Sequence, residues 1–450
     1  MKCAEFSVRR VAREIAGQAG RDEHIEAFVA HGTDTHLLVR DQEAESVSTA
    51  SGGGVGIRVL RRNRIGFAHT NAFDRTSLSS VLAQARENTR YSAPSRFATF
   101  AAPDGIPAAS INLWCDQLID LPFTEKLTLA RDLEQRLKAF PAVSHIKSVA
   151  WGDSMSESAV ASSTGVQSYS RRTSCFLSAY VIGKAADGRV ATSTAYTQGR
   201  GPADLGVAKA ADEAVRSLPT GCASRLDPQR LPAILTPRAT AVFLPVIAGI
   251  LNRAADYPHH PYGTAPVGTA IASEALNLID DPSDPTAFGV ARYDAEGLAT
   301  RPNTLIEQGR IAGRLHDAAG GSRVGTLSNG SAFRGGYKSL PRAEARALSI
   351  VPGTLAPEDA AAQLDHGFLV EEVVALKAGE DRATGTFSAA VRGRMIQHGE
   401  PTAWVPHTVI ALTIPSLLMG IVSIGTDSVP LPGRAKGTTL LLSELSLGGR

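Results

Sequence analysis

An α+β fold divided between two domains is what this sequence predicts, and three observations lead there. At 450 residues the chain is longer than one ordinary hydrophobic core supports. Apolar residues at 43% and charged residues at 20% are the proportions of a folded globular protein. A few segments of helical period are separated by many short runs of period two, with turn residues between them.

Val8, Val11, Ala12, Ile15 and Ala16 recur at helical spacing, so the N-terminus reads as an amphipathic helix and not as the apolar core of a secretory signal. Residues 36–39 read as a strand. Residues 43–49 alternate, and residues 55–60 run through Arg61, Arg62 and Arg64 into residues 65–68, a hairpin with a solvated basic turn. A helix over 76–90 follows, with Leu78, Val81, Leu82 and Ala85 on one side. The next, over 124–140, turns Leu127, Ala130, Leu133, Leu137 and Phe140 inward and places Lys126, Asp132, Glu134 and Lys138 between them. Strands over 149–153, 156–162, 174–182 and 190–196, with short turns, predict an antiparallel meander. Pro202 suits the first turn of a third helix, where its missing N–H costs nothing, and Leu205, Ala208, Ala211, Val215 and Leu218 form its apolar face.

Periodicity gives way to Gly, Ser, Pro and charge over residues 221–232. The boundary is placed there, between an α+β domain of residues 1–224 and a β-rich domain of residues 225–450. A strand over 231–235 and an uncharged helix over 239–252 open the second domain, followed by short strands among Gly- and Pro-rich loops. Residues 401–426 contain no Asp, Glu, Lys or Arg, a length that can span a bilayer. Pro401, Pro406 and Pro415 break such a helix, so a buried strand over 408–412 and a short helix from Pro415 are predicted, with no membrane span.

A formal charge of +2 gives no broad field for nucleic acid. Cys3, Cys115, Cys175 and Cys222 are too far apart for a zinc knuckle or a redox pair, which with the N-terminal helix points to a cytoplasmic protein with reduced thiols. Of eleven histidines none precedes a glutamate, and only His31 and His36 stand three to five residues apart. The adjacent His259 and His260 lie between prolines and diverge in an extended loop, which suits a structural or partner-contacting role better than a shared metal. Asp280, Asp281 and Asp284 read as a turn with capping carboxylates before they read as a cation site. The glycines at 52, 53, 54 and 56 lack the G-x-G-x-x-G order and precede a strand, so a bulge or a close backbone approach is expected and not a nucleotide loop. Ser328, Ser331 and Ser388 lie in no G-x-S-x-G elbow. The candidate binding residues are Asn329, Arg334, Gly335 and Gly336: glycines let another chain come close, and an arginine can hold a carboxylate or a peptide carbonyl. No catalytic residue and no metal ligand is assigned.

The order of several motifs adds a resemblance. Residues 294–337 combine Asp294-Ala295-Glu296-Gly297, a Thr304-Leu305-Ile306-Glu307-Gln308-Gly309 hairpin and a Ser328-Asn329-Gly330 loop that ends in Arg334-Gly335-Gly336-Tyr337. Upstream stand Glu45-Ser46-Val47-Ser48 and the glycine-rich strand ending at Val59; downstream stand Gly385-Thr386-Phe387-Ser388 and Leu445-Ser446-Leu447-Gly448-Gly449. Together, over roughly residues 40–449, these resemble the TldD/PmbA family. The resemblance implies a curved, barrel-like second domain. It also implies that TldD-like members are zinc peptidases, with a His-Glu-x-x-x-His helix early in that domain and a late cysteine. The corresponding helix here, residues 239–252, has no His, Glu or Cys, and no cysteine follows Cys222. The chain therefore resembles the PmbA, or TldE-like, branch, for which the resemblance implies no cofactor in the chain itself and a heteromeric partner, a TldD-like subunit that brings zinc to a peptide substrate. Two alternatives stand beside that reading. One is a subunit adapted to amide cleavage or deacylation of a peptide-derived natural product, and the other is a stand-alone homodimer that binds peptides.

Overall fold

The computed structural model describes residues 7–184, 188–218, 226–252, 261–381 and 386–448. The N-terminal half is built on one six-stranded sheet. Helix α1 (Val8–Ala16) leads into β1 (His24–Arg40), β2 (Glu43–Arg61) and β3 (Arg64–Thr70), and α2 (Arg75–Asn88) follows. After a long connection come α3 (Asp116–Ile119), α4 (Phe123–Lys138), β4 (Val143–Ser162), β5 (Gln167–Lys184), β6 (Val190–Gly199) and α5 (Val207–Arg216). The strand order is β3-β2-β1-β4-β5-β6, antiparallel throughout.

Helices cover one face of this sheet. Ile25, Ala27 and Val29 of β1 and Val55, Ile57 and Val59 of β2 meet Val8, Val11 and Ile15 of α1 and Leu82 of α2. Val149 and Trp151 of β4 and Leu177 of β5 meet Leu133 and Leu137 of α4 and Ala210 and Ala214 of α5. Because successive side chains alternate across a strand, Glu26 and Phe28 of β1 point to the opposite face, where the C-terminal half packs. That alternation positions the site described below.

The hairpins turn as expected. Arg62 and Asn63 have φ of 50° and 61°, the paired positive values of a tight two-residue turn matched to strand twist. Asp41 and Gln42, with φ of 50° and 67°, do the same between β1 and β2. Their N–H groups donate to the Glu134 carboxylate at 3.1 and 2.9 Å. Glu134 is thus buried, not outward as helical spacing predicts, and Lys126 is half-buried and donates to the buried Asp153 at 2.7 Å. The meander has fewer breaks than the sequence predicts: β4 is one strand where two were expected, and β1 begins twelve residues earlier than the predicted start at His36. Pro202 opens a separate 3-10 turn, Pro202–Asp204, and α5 starts only after Gly206, so its buried face is Val207, Ala210, Ala211 and Ala214, with Ala208 exposed.

The C-terminal half begins with β7 (Gln229–Leu235) and α6 (Pro237–Asn252). A loop-rich layer follows: α7 (Pro261–Thr264), β8 (Leu278–Asp280), β9 (Asn303–Glu307), β10 (Arg310–Ile311), α8 (Ala318–Val324), β11 (Ala332–Phe333), β12 (Arg342–Ala343) and β13 (Leu348–Ile350). Long strands β14 (His366–Asp381), β15 (Thr386–Gln397) and β16 (Glu400–Thr413) come next, then α9 (Ile414–Met419), β17 (Ile421–Ile424), β18 (Val429–Pro430), β19 (Lys436–Gly437) and β20 (Leu440–Gly448). The large sheet runs β16-β15-β14-β7-β20-β17, and β16 pairs with β20 as well, closing β16, β15, β14, β7 and β20 into a barrel. Only the β7–β14 pair among these is parallel. Phe243, Leu244 and Ile247 of α6 pack on Leu235, Phe368, Phe387 and Ile410 from the barrel. Residues 401–413 and Pro415 fall in β16 and at the start of α9, and among the described residues no helix is long and apolar enough to cross a membrane.

The glycine-rich stretch of β2 is a close approach with no bulge: its register against β1 is unbroken there. A Cβ on Gly54 would stand 2.3 Å from the Tyr337 ring, and one on Gly56 would stand 2.2 Å from the Tyr337 carbonyl oxygen. Backbone cannot yield as a side chain can. Gly56→Val is therefore expected to destabilise the protein by about 1–3 kcal/mol, read as a lowered urea midpoint; an unchanged midpoint would mean that the loop of Tyr337 does not sit there.

Candidate functional site

Where the two halves meet, four charged side chains are taken out of water together. Glu26 and Arg58 are cross-strand partners on β1 and β2. Arg58 Nε donates to Glu26 Oε1 at 2.9 Å, its Nη2 bonds Glu26 Oε2, and the same Nη2 donates to Glu296 Oε1 at 2.9 Å. Arg334, from the loop after β11 begins, donates Nη2 to Glu26 Oε1 and to the Ala295 carbonyl oxygen, both at 2.7 Å. Its guanidinium lies 4.7 Å from the centre of the Phe28 ring. Two carboxylates and two guanidinia cancel in charge, which is what makes their burial tolerable.

Local turn chemistry delivers Glu296. Asp294 Oδ1 accepts from the N–H groups of Glu296 and Leu298 at 2.9 and 3.0 Å, Oδ2 accepts from Ala332 at 3.1 Å, and Gly297 takes φ of 87°. Glu296 Oε2 in turn accepts from the Ala318 N–H at 2.8 Å. Burial works against ionising Glu26, but the Arg58 and Arg334 cations outweigh it and hold its carboxyl below the usual range. For Glu296 burial wins over Arg58, with Glu26 adding repulsion, and its carboxyl is raised. Asp294 is pushed up to about 7, first by burial and then by the Glu296 charge.

That last shift has a measurable sign. A folded pKa of about 7 lies above the ~3.9 of an unfolded aspartate. Asp294 therefore contributes stability that is complete below about pH 4 and is lost as pH rises through 7. Wild type is expected to lose ground to Asp294→Asn between pH 4 and 7, by on the order of a few kcal/mol in unfolding free energy. A difference that stays constant across that window would show the carboxyl to be ionised throughout.

The structure places the sequence-derived candidates as follows. Arg334 is buried in the network above, and its Nε and Nη1 have no hydrogen-bond partner. Asn329 faces inward: its Oδ1 accepts from the His316 N–H and its Nδ2 donates to the Arg314 carbonyl oxygen, both at 2.8 Å. Gly335 is exposed and Gly336 half-buried, with φ of 145°. Asp281 and Asp284 accept from Ser283 and Thr286 N–H groups as turn caps, and Asp284 also pairs with Lys436. Asp280 accepts from the N–H groups of Arg346 and Ala347, and burial pushes it up to about 6. His259 and His260 lie outside the described residues. Sequence reasoning missed Glu26, Arg58 and Glu296 as a group, because the contacts that join the β1–β2 pair to Glu296 and Arg334 link positions more than two hundred residues apart. The one local signal was a glutamate set between Ile25 and Ala27 in an otherwise apolar run.

Helix α6 frames a cavity of about 230 Å³. Pro245, Ala248, Gly249 and Asn252 present one helical stripe to it, and Arg342, Glu344 and Arg434 stand opposite. Both arginines pair with Glu344. A hydrolytic metal needs three protein donors of the His, Cys, Asp or Glu type around an open position. The cavity lining offers one such residue, already bonded by two cations, and no group of three occurs among the described residues. This donor set does not fit zinc.

Comparison with known proteins places these features. Residues 25–89, 116–218 and 228–449 match the family models described as PmbA/TldA metallopeptidase domain 1, central domain and C-terminal domain. The chain belongs to the PmbA/TldD family. Metalloprotease PmbA of Escherichia coli O157:H7 is 24% identical to it over 441 residues, 96% of this chain and 94% of that protein. A metalloprotease of Methanothermobacter thermautotrophicus is also 24% identical, over 90% of this chain and 89% of that one. In fold this PmbA/TldD protein is similar to TldE from Thermococcus kodakarensis, with TM-score 0.83, 21% identity and coverage of 95% and 97% of the two chains. A putative modulator of DNA gyrase from Thermotoga maritima gives TM-score 0.83 at 19% identity, covering 95% and 96%. The mixed α+β architecture with a C-terminal barrel is thus the family's fold.

Proposed function

We propose that this protein is the metal-free, non-catalytic subunit of a heteromeric peptidase, and that a TldD-like partner contributes zinc, its bound water and the general base. The observation that supports this reading is the α6 stripe. In the position where the family resemblance expects metal ligands, it offers Pro245, Ala248, Gly249 and Asn252 to a cavity whose acid is already neutralised. Pro245 inside the helix also leaves one carbonyl of the preceding turn without its usual donor. The chain's role is then to wall the chamber and orient an extended peptide, with long antiparallel edges offering main-chain hydrogen bonds of low sequence preference. The experiment is to purify the chain alone and with a His-Glu-x-x-x-His homologue, and to assay peptide cleavage in each. Cleavage only in the mixture is the expected result; equal cleavage by the chain alone refutes the assignment.

A further inference from the structure

A cavity of about 200 Å³ lies beside the buried charge network, between the outer face of β4 and β5 and the loops around Tyr293 and Phe333. That is more than ten times the ~10–15 Å³ that one water requires. Three guanidinium groups line it: Arg172, Arg334 and Arg346. We propose that this cavity is a binding site for a peptide carboxylate, clamped by Arg172, Arg334 and Arg346.

The charge balance leads to an anion. Arg334 has already cancelled its share against Glu26, yet its Nε and Nη1 remain without a partner in a side chain that is 1% exposed. Arg172 donates Nη2 only to the carbonyl oxygens of Phe288 and Val290, at 2.9 and 3.0 Å. Arg346 donates Nε to the Gly289 carbonyl oxygen at 3.4 Å. Neither of these two cations hydrogen-bonds a carboxylate among the described residues. Burial, and then the neighbouring Arg346 and Arg200 cations, depress Arg172 to about 10. Arg346 is also lowered by burial, despite Asp294 and Asp280 nearby. The carboxyl lining the cavity, Asp294, is committed to three backbone N–H groups and is a poor counter-charge below neutrality. Two guanidinia beside one hollow with no carboxylate bonded to either, Arg172 and Arg346, are unfavourable, and an incoming anion relieves that.

The shape selects a carboxylate. Guanidinium forks match its planar pair of oxygens. Ser158 and Ser170 are cross-strand partners on β4 and β5, and Ser156 pairs with Arg172 in the same register, so neutral hydroxyls line the wall beside the cations. Asp294, where it is ionised, repels a dianion more than a monoanion, which disfavours phosphate. The peptide as the source of the carboxylate rests on the function proposed above; the carboxylate chemistry does not.

The test titrates the isolated full-length chain by calorimetry with tri-alanine, tri-alanine amide, N-acetyl-Ala-Glu-Ala amide and inorganic phosphate. Tri-alanine or the glutamyl peptide is expected to bind at least about tenfold more tightly than tri-alanine amide. Preference for the first assigns the site to a chain terminus, and preference for the second to an acidic side chain. Arg172→Met removes one clamp and Ser158→Leu fills the hollow while keeping all three arginines. Each is expected to weaken binding about tenfold or more with the melting temperature retained. The proposal is overturned if the amide binds as well as the free acid, if no carboxylate probe binds, if phosphate binds more tightly than either, or if both folded variants bind like wild type. Because no partner subunit is present, failure to find a zinc-bearing partner would leave this result standing.

Discussion

Glu26→Ala is expected to lower the unfolding free energy by about 3–5 kcal/mol at pH 7, the cost of stranding buried cations. Glu26 is bonded by both Arg58 and Arg334 and is 1% exposed. Its removal leaves three buried charges, Arg58, Arg334 and Glu296, with a net positive excess. Glu26→Gln keeps the volume and one acceptor oxygen, so it should cost less than alanine but remain destabilising. The pH dependence follows from the lowered Glu26 carboxyl. Its contribution is present above the unfolded glutamate pKa of ~4.3 and is lost as pH falls through the lower folded value. The gap between wild type and Glu26→Gln is therefore expected to narrow in acid. Urea unfolding at pH 7 and pH 3 measures it. A loss under about 1 kcal/mol at pH 7 would show that the network is hydrated and weakly coupled.

The second large effect concerns catalysis. In a working complex, changing the partner's motif glutamate to glutamine is expected to cut kcat by about 10²–10⁴-fold, the usual worth of a general base. Glu344→Gln in this chain is expected to leave kcat within about threefold. Glu344 is the one carboxylate lining the α6 cavity, but it is held between Arg342 and Arg434 and is not free to take a proton from water. Single-turnover kinetics on both variants would separate chemistry from binding. A collapse of kcat on Glu344→Gln, with KM unchanged, would place chemistry in this chain.

Local pattern carried much of the architecture. The apolar spacing of Val8 to Ala16 and of Leu133 to Leu137 foretold helices that bury those residues, and the basic cluster of Arg61, Arg62 and Arg64 stood where the hairpin turn falls, at Arg62 and Asn63. It was weaker where burial does not alternate. Residues 43–52 of β2 are exposed on both faces, so the alternation over 43–49 marks the strand without showing which face packs. Barrel closure through the β16–β20 pairing is a long-range contact with no local mark. The site was legible only in part. Arg334 stood out in its glycine-rich loop, Glu26 carried only the weak mark of an acid in an apolar run, and Arg172 looks like an ordinary polar position of a strand. Their importance comes from the packing of the outer sheet face against a distant loop, which chain order alone does not announce. Glu134 and Lys126 misled for the opposite reason: charged residues at outward helical positions were drawn in by the Asp41 turn and by Asp153.

The central claim is that this polypeptide holds no hydrolytic centre of its own and works by completing another subunit. Elemental analysis for zinc, paired with peptide cleavage, on the isolated chain, the TldD-like homologue and their purified complex tests it most directly. The account predicts far less than one zinc per isolated chain and no cleavage, with stoichiometric zinc and turnover in the complex. One tightly held zinc per isolated chain, together with cleavage that a chelator abolishes, would contradict it.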